Sequence, residues 1–495
     1  MNHWSILPIL LPLFAGALLL ILPSHERLQR CLSLLATLAL LPLALYLLQL
    51  AGDGQVRVYA LGDWAPPFGI VLLLDRLSAW LLLATAVLAV AALLYALRGD
   101  DRLGARFHAL FQFQLLGVNG AFLTGDLFNL FVFFEILLIA SYALLLHGQG
   151  AQRVRAGLHY VVLNLTGSAL FLIALGVLYG TSGTLNMADL SLRAAAATGD
   201  QVPLLAAAGL LLLLVFALKA ALLPLYFWLP QAYATASAPV AALFAIMTKV
   251  GIYAILRVFT LAFGEGAGEL ANLAQAWLWP LALATMALGA VGALAARSLQ
   301  RLLAYLVVVS AGTLLAALAV GTPQAHAAAL YYLLHSSWVG GGLFLLADLI
   351  ARQRGDKGGE LVQGAALEHP ALLGALFFFG AIAVIGLPPL SGFLGKLLLL
   401  RAVPSPWLWG VVLIGGLVVL VAMSRAGSTL FWRVGQSTLD SSELDGGRLL
   451  ACVLLLASAL LLVPLAAPLL DYAQAAAAQL HDLGPYRAIP LEAAP

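Results

Sequence analysis

The stretch AAGLLLLLVFAL, residues 207–218, is apolar without interruption or alternation, and the chain repeats this pattern from end to end. A membrane-spanning helix needs about 20 such residues. Fourteen runs meet that need, near residues 4–22, 31–50, 71–97, 107–124, 128–147, 158–180, 203–223, 240–263, 273–295, 301–320, 326–350, 372–399, 407–430 and 449–470. Strands of a membrane barrel would alternate apolar and polar residues over short segments, and these runs do not. With 63% hydrophobic and 9% charged residues, a soluble fold of this length could not cover its surface with polar groups. The expectation is an all-α polytopic membrane protein of about fourteen helices. The first run begins at Trp4 with no basic segment before it and no small-residue cleavage site after it, so it is expected to be a retained helix. Cys31 and Cys452 have no CxxC spacing and indicate neither a disulfide framework nor a metal cluster.

Arginine sets the expected topology. The segments HERLQR, LRGDDRLGAR, QRVR, RSLQR and RQRGDK follow odd-numbered runs, as do Arg425, Arg433 and Arg448. Connections after even-numbered runs hold little beyond Arg57, Arg76, Arg193 and Arg401. Positive charge favours the cytoplasmic side, so both termini are expected outside. The net charge of +2 is therefore local to these loops, and no basic patch suggests nucleic acid.

Lysine is distributed differently. There are four lysines; Lys357 lies in a loop, while Lys219, Lys249 and Lys396 fall inside apolar runs. A central lysine costs roughly 2.5–3.5 kcal/mol on insertion scales. Arginine effectively never deprotonates, whereas a desolvated lysine can release a proton near neutral pH. Lysines in the spans and arginines in the loops therefore suggest proton carriers. The competing reading is snorkelling from a helix end, to which Lys396 is the most open. Glu135, in NLFVFFEILLIASYALL, is an isolated carboxylate in the fifth run and needs a cationic partner; Lys219 is the natural one. A purely structural pair is the bland alternative.

Prolines mark two broken helices. Pro224 and Pro230 interrupt the seventh segment, and Pro388 and Pro389, within GLPPLSG, interrupt the twelfth. Broken helices in corresponding positions of two halves point to an inverted-repeat transporter. The expected organisation is residues 1–100 with helices one to three, 101–264 as a first repeat of helices four to eight, 265–432 as a second of helices nine to thirteen, and 433–495 with the last helix and tail. Five helices per repeat give the two repeats opposite membrane topology.

Other residues carry weaker signals. His335 could relay protons between halves, or be a neutral core histidine. Tyr305, Ser310 and Thr248 could hold water or simply pack helices. Asp75, Asp126 and Asp348 lie near run ends and are expected to be interfacial and solvated, and Arg257 to snorkel outward. The triplet Gly340, Gly341 and Gly342 is expected to let helices approach closely. GFLGKLL lacks the leading glycine and the trailing Ser/Thr of a phosphate loop, and no paired histidines suit haem. No cofactor or metal is expected.

As an ordered set, DRLSAW (75–80), FFEILLIASYALL, LKAALLPLYFWLPQAY (218–233), MTKVGIYAILR (247–257), RLLAYLVVVSAG (301–312) and GLPPLSGFLGK (386–396) resemble the antiporter-like membrane subunits. That family is shared by the membrane arm of respiratory complex I, membrane-bound hydrogenases and multi-subunit Mrp-type cation/proton antiporters. MTKVGIYAILRVFTL and the compact length are most similar to the D-type subunits of the Mrp (Pha) class. The resemblance implies that Glu135 and Lys219 form a gating charge pair, that Lys249 carries protons along a central axis, and that Lys396 ends the second half-channel. The family often has a lysine near His335 where this chain reads WVGGG, which shifts the link between halves onto His335 and water. It further implies a bacterial inner-membrane location and partner subunits of a heteromeric complex exchanging Na+, K+ or Li+ for protons. That is a secondary transporter subunit, not an enzyme; the alternative is a proton-pumping subunit of a complex I-like quinone oxidoreductase or a hydrogenase.

Overall fold

The computed structural model describes residues 3–22, 25–64, 69–435 and 444–492. The chain is mostly helical. Its first half comprises α1 (Leu7–Ile21), α2 (Glu26–Ala51), α3 (Arg76–Ala96), α4 (Phe107–Leu123), α5 (Leu127–Leu146), α6 (Ala151–Ser182), α7 (Met187–Ala195), α8 (Gln201–Ala220), α9 (Trp228–Thr235), α10 (Ala238–Phe244) and α11 (Met247–Leu261). The second half holds α12 (Gln275–Ala295), α13 (Leu299–Val320), α14 (Pro323–Arg352), α15 (Pro370–Ile385), α16 (Ser391–Ala402), α17 (Pro406–Phe431), α18 (Gly446–Leu456), α19 (Ser458–Leu461), α20 (Ala466–His481) and α21 (Gly484–Glu492).

Among the described residues, eleven helices are long and apolar enough to cross a membrane, or twelve if the bent pair Gly446–Leu461 and Ala466–His481 is one span. About fourteen are expected from the sequence. The difference lies in the run near 107–124, which forms the 17-residue α4, and in the run near 372–399, which divides into α15 and α16. A second difference is a short antiparallel hairpin, β1 (Arg57–Ala60) with β2 (Val71–Leu74), pairing Arg57 with Leu74 and Ala60 with Val71. The apolar run 71–97 hides this strand because VLLL continues the composition of the helix. The boundary is set by Asp75, which accepts from the Ser78 backbone N–H while the Ser78 hydroxyl receives the Asp75 N–H.

Burial separates core from rim. Every residue in the most apolar window of α10 and α11 is buried, against 28% for α17, so the former lie at the centre and the latter faces outward. α3 and α14 join the central group. Within the glycine triplet, a Cβ on Gly341 would lie 2.5 Å from Leu88 of α3, and one on Gly342 3.0 Å from Leu456 of α18; the expected close approach holds at these two positions. A Cβ on Gly340 would meet nothing within 4 Å.

The connections that carry Arg30, Arg98, Arg352 and Arg448 meet on one face of the bundle, and these arginines are paired there. Arg30 contacts Asp101, Arg98 contacts Asp445, and Arg352 contacts both Asp348 and Asp100. Arg448 also reaches Asp100 at 2.9 Å. Burial alone would raise the Asp101 carboxyl, but hydrogen bonds from His108 and Arg30 prevail and hold it at about 2.

The expectation of solvated aspartates fails at Asp75 and Asp126, which are 0% and 6% exposed. Asp126 caps α5 by accepting the Asn129 N–H at 2.7 Å. Asp75 meets Arg257 in a bidentate pair of 2.5 and 2.9 Å, with the Tyr486 hydroxyl donating to it at 2.6 Å. Arg257 therefore does not snorkel: it is 1% exposed and finds its carboxylate 182 positions away, a distance that composition near either residue does not reveal. Replacing Arg257 with Met should leave Asp75 as an unpaired buried charge and cost about 3–5 kcal/mol. The double variant Asp75→Asn/Arg257→Met, which keeps a capping side chain on α3, should recover most of that loss in thermal unfolding of the purified protein.

Candidate functional site

The first break begins where Ala221 adopts a left-handed conformation, φ 59°, and ends α8 at Ala220. Pro224 prevents helix from continuing, and the chain passes through a tight turn at Leu225–Phe227 before α9 starts. The freed groups are satisfied locally. The Trp228 indole N–H donates to the Leu218 carbonyl at 3.0 Å, and the Leu223 N–H donates to the Thr285 hydroxyl at 2.9 Å. Pro230 does not belong to the break. It lies in the first turn of α9, where its missing N–H has no helical partner to lose.

Lys219 sits one residue before the end of α8 and is buried. Its Nζ donates to both the backbone and side-chain oxygens of Asn164, each at 3.2 Å. One turn along α6, the Ser168 hydroxyl lies within hydrogen-bond reach of both the Asn164 carbonyl, at 3.0 Å, and the Glu135 carboxylate, and its single proton serves one or the other. Glu135 and Lys219 are thus joined through a turn of α6; among the described residues, no direct ion pair links them. α6 packs against both α5 and α8, which also meet directly where the rings of Phe134 and Phe216 stack 6.3 Å apart, so the two charges face each other across Asn164 and Ser168 instead of pairing. On the other side, a Cβ on Gly251 of α11 would lie 2.5 Å from the Ala220 nitrogen, so only glycine lets α11 rest on the end of α8.

Lys249, two residues before that contact, is fully buried and donates to the Ser310 hydroxyl at 3.4 Å. Ser310 lines a cavity of about 40 Å³ shared with Thr313, Tyr332, His335, Ser336 and Lys396. A cavity that size with several polar walls has room for water. Gly340 also lines it, so this member of the triplet provides open space where the other two provide contact. Of the weaker candidates, Ser310 is in the line, the Thr248 hydroxyl has no hydrogen-bond partner, and Tyr305 is half-buried.

The second break separates α15 from α16, with Gly386 at φ 85° and Pro388 and Pro389 in the connection. The His335 Nδ1 lies 2.8 Å from the hydroxyl of Ser391, the first residue of α16. Lys396 Nζ donates to the carbonyls of Val384 and Ile385 at 3.2 and 2.7 Å, capping the end of α15. Cations favour that position because the last carbonyls of a helix lack partners. A Cβ on Gly392 would collide with the Ala383 carbonyl and fall 2.8 Å from His335 Nε2.

Residues 124–423 match the family described as NADH:quinone oxidoreductase/Mrp antiporter, TM. The chain belongs to this family. It is 42% identical to a Rhizobium meliloti protein named as the D-type subunit of a probable K(+)/H(+) antiporter, over 96% of this chain and 95% of that one. It is 40% identical to the D-type subunit of the Na(+)/H(+) antiporter of Bacillus subtilis, over 87% of each. Among solved structures, the Mrp complex from Dietzia sp. DQ12-45-1b superposes with a TM-score of 0.89 at 29% identity, covering 99% of this chain and all of that one. The family resemblance noted in the sequence is therefore correct.

The family motifs take in the lysines together with Ser310 and Ser391. Asn164, Ser168 and Thr285 escape sequence reasoning, because neutral polar residues in apolar helices carry no charge to draw notice. The one available signal is spacing: Asn164 and Ser168 are four apart and so share a helix face. Gly392→Ala should overpack the second break and lower its stability by about 1–3 kcal/mol or more. A reduced melting temperature of the purified protein, compared with Gly410→Ala, where a Cβ meets nothing within 4 Å, would register that effect.

Proposed function

We propose that this chain is the D-type subunit of a heteromeric secondary antiporter that exchanges Na+ or another monovalent cation for protons. The observation that carries the reading is the set of ionisable groups Glu135, Lys219, Lys249, His335 and Lys396, of which Lys219 and Lys396 flank the two helix breaks: Ser168 and Asn164 link Glu135 to Lys219, and Ser310 links Lys249 to the cavity that His335 and Lys396 line. Ionisable groups inside a membrane are costly, and their usual role is an ion or proton path. The names of the Rhizobium and Bacillus relatives support the same class of transport.

In this reading, Lys219 swings between the oxygens of Asn164 and the Ser168–Glu135 pair. The position of its charge then controls whether Lys249 holds or releases a proton. His335 and cavity water connect Lys249 to Lys396, in place of the lysine that the family often has near His335. The two halves, residues 101–264 and 265–432, act as inverted repeats in the inner membrane of a bacterial cell. The arginine-rich face lies in the cytoplasm, with both termini outside.

Glu135 also speaks for partner subunits. It lies in the middle of α5 and is only half-buried, on the same face as exposed Phe128, Val132 and Ile139. A carboxylate at that depth needs cover from another protein, because hydrocarbon gives it none.

In everted vesicles carrying the intact complex, addition of Na+, K+ or Li+ should collapse a preformed pH gradient. Lys219→Ala and Glu135→Ala should each abolish that response while leaving assembly intact. Lys249→Arg should reduce it about tenfold or more, because the charge persists and proton release does not. Wild-type collapse with Lys249→Arg would leave this site an electrostatic role only.

A further inference from the structure

On the face opposite the paired arginines, α11, α13 and α20 end and α12 and α14 begin around a second cavity, of about 70 Å³. Two histidines from distant parts of the chain meet at its wall. His481, the last residue of α20, places Nε2 3.1 Å from Nδ1 of His326 in the first turn of α14. His326 is 2% exposed, and its other ring nitrogen, Nε2, is buried with only the Leu318 backbone carbonyl near it and no partner in good hydrogen-bond geometry. None of Glu135, Lys219, Lys249, His335 and Lys396 touches this pair.

We propose that His326 and His481 form the outer proton port of this subunit, exchanging protons between external water and the interior of α14. A hydrogen bond between two neutral imidazoles needs one N–H and one bare nitrogen, so the contact holds a single bridging proton. With that proton on His481 Nε2, a proton arriving at His481 Nδ1 lets the bridging one pass to His326 Nδ1. The proton on His326 Nε2 then passes to water in the cavity that His326 lines. One proton enters and one departs, and both rings finish neutral in the opposite tautomer. Return of the tautomers by ring rotation or by reverse transfer resets the pair. His335, nine residues further along α14, lies about 13 Å below His326 at the helical rise.

The charged surroundings suit a site that gathers protons. Glu265, in the connection between α11 and α12, lines the same cavity and is exposed to solvent. Asp482 follows His481 in the chain. The nearby cation Arg487 is bound to the Gly266 carbonyl and to Ser191. α12 contributes Gln275 and α13 contributes Leu318, neither of them charged, and Arg257 of α11 is turned to Asp75.

This inference rests on the antiporter reading, and the two can fail separately. If the wild-type complex shows no cation/proton exchange under any cation, the antiporter reading falls. If the wild type exchanges, the port is tested by His326→Gln/His481→Gln, a pair that can still hydrogen-bond across the contact but cannot relay a proton. The expected result is a loss of about tenfold or more in exchange rate, with a flattened dependence on outer pH, in a complex that still assembles. A wild-type rate and wild-type outer-pH profile would overturn the proposal. If that pair fails to assemble, His481→Ala decides: added imidazole should restore its exchange, and absence of restoration would overturn the port.

Discussion

A lipid bilayer offers no hydrogen bonds to a broken helix, and this chain breaks two of them at membrane depth. Everything distinctive in its interior follows from how the freed backbone groups find partners. In the first break those partners are the Trp228 indole and the Thr285 hydroxyl, on the same segment and on α12 respectively. In the second they include the Lys396 ammonium itself. The breaks are thus stabilised by side chains that the sequence must place at fixed distances from the prolines, and the glycines at 251 and 392 are required where the loosened chain crowds its neighbours.

The same scarcity of partners divides the buried charges into two kinds. Asp75 and Arg257 form a bidentate pair, supported by Tyr486, in which neither member has a role without the other. Guanidinium does not deprotonate, so Arg257 keeps its charge and the pair holds α3, α11 and the C-terminal α21 together. The lysines are arranged on different terms. Lys219, Lys249 and Lys396 each donate to neutral oxygens of amides, hydroxyls or carbonyls. A lysine that gives up its proton in such a site leaves no unpaired carboxylate behind. In the proposed antiport, arginine for the latch and lysine for the membrane sites is therefore a chemical separation of structure from transport.

Much of this was legible in the sequence, and the limits have physical causes. Uniformly apolar runs establish helices and membrane, and lysines confined to those runs stand out because their cost there demands an explanation. Pro224 and the Pro388–Pro389 pair locate the breaks. Pro230 misleads because proline in a first helical turn looks the same in sequence as proline that ends a helix. The Asp75–Arg257 pair, the Asn164–Ser168 bridge and the hairpin at Val71–Leu74 were invisible for one shared reason. Each depends on which helices become neighbours, and an apolar run carries little periodicity to announce its buried face.

The two breaks are not equivalent, and in the proposed antiport the difference fits them for different work. Lys219 precedes its break and leaves the capping to Trp228, so its ammonium can move one turn along α6, from Asn164 toward Ser168 and Glu135, without uncapping a helix. Lys396 follows its break and is itself the cap. Drawing it toward His335 and the cavity would expose the Val384 and Ile385 carbonyls, which only water could then satisfy. The first half therefore has a charge that is free to switch, and the second a charge tied to the backbone by a restoring interaction. A mobile charge suits the gate, and a tethered one suits the final proton carrier, which must return to the same position after each transfer.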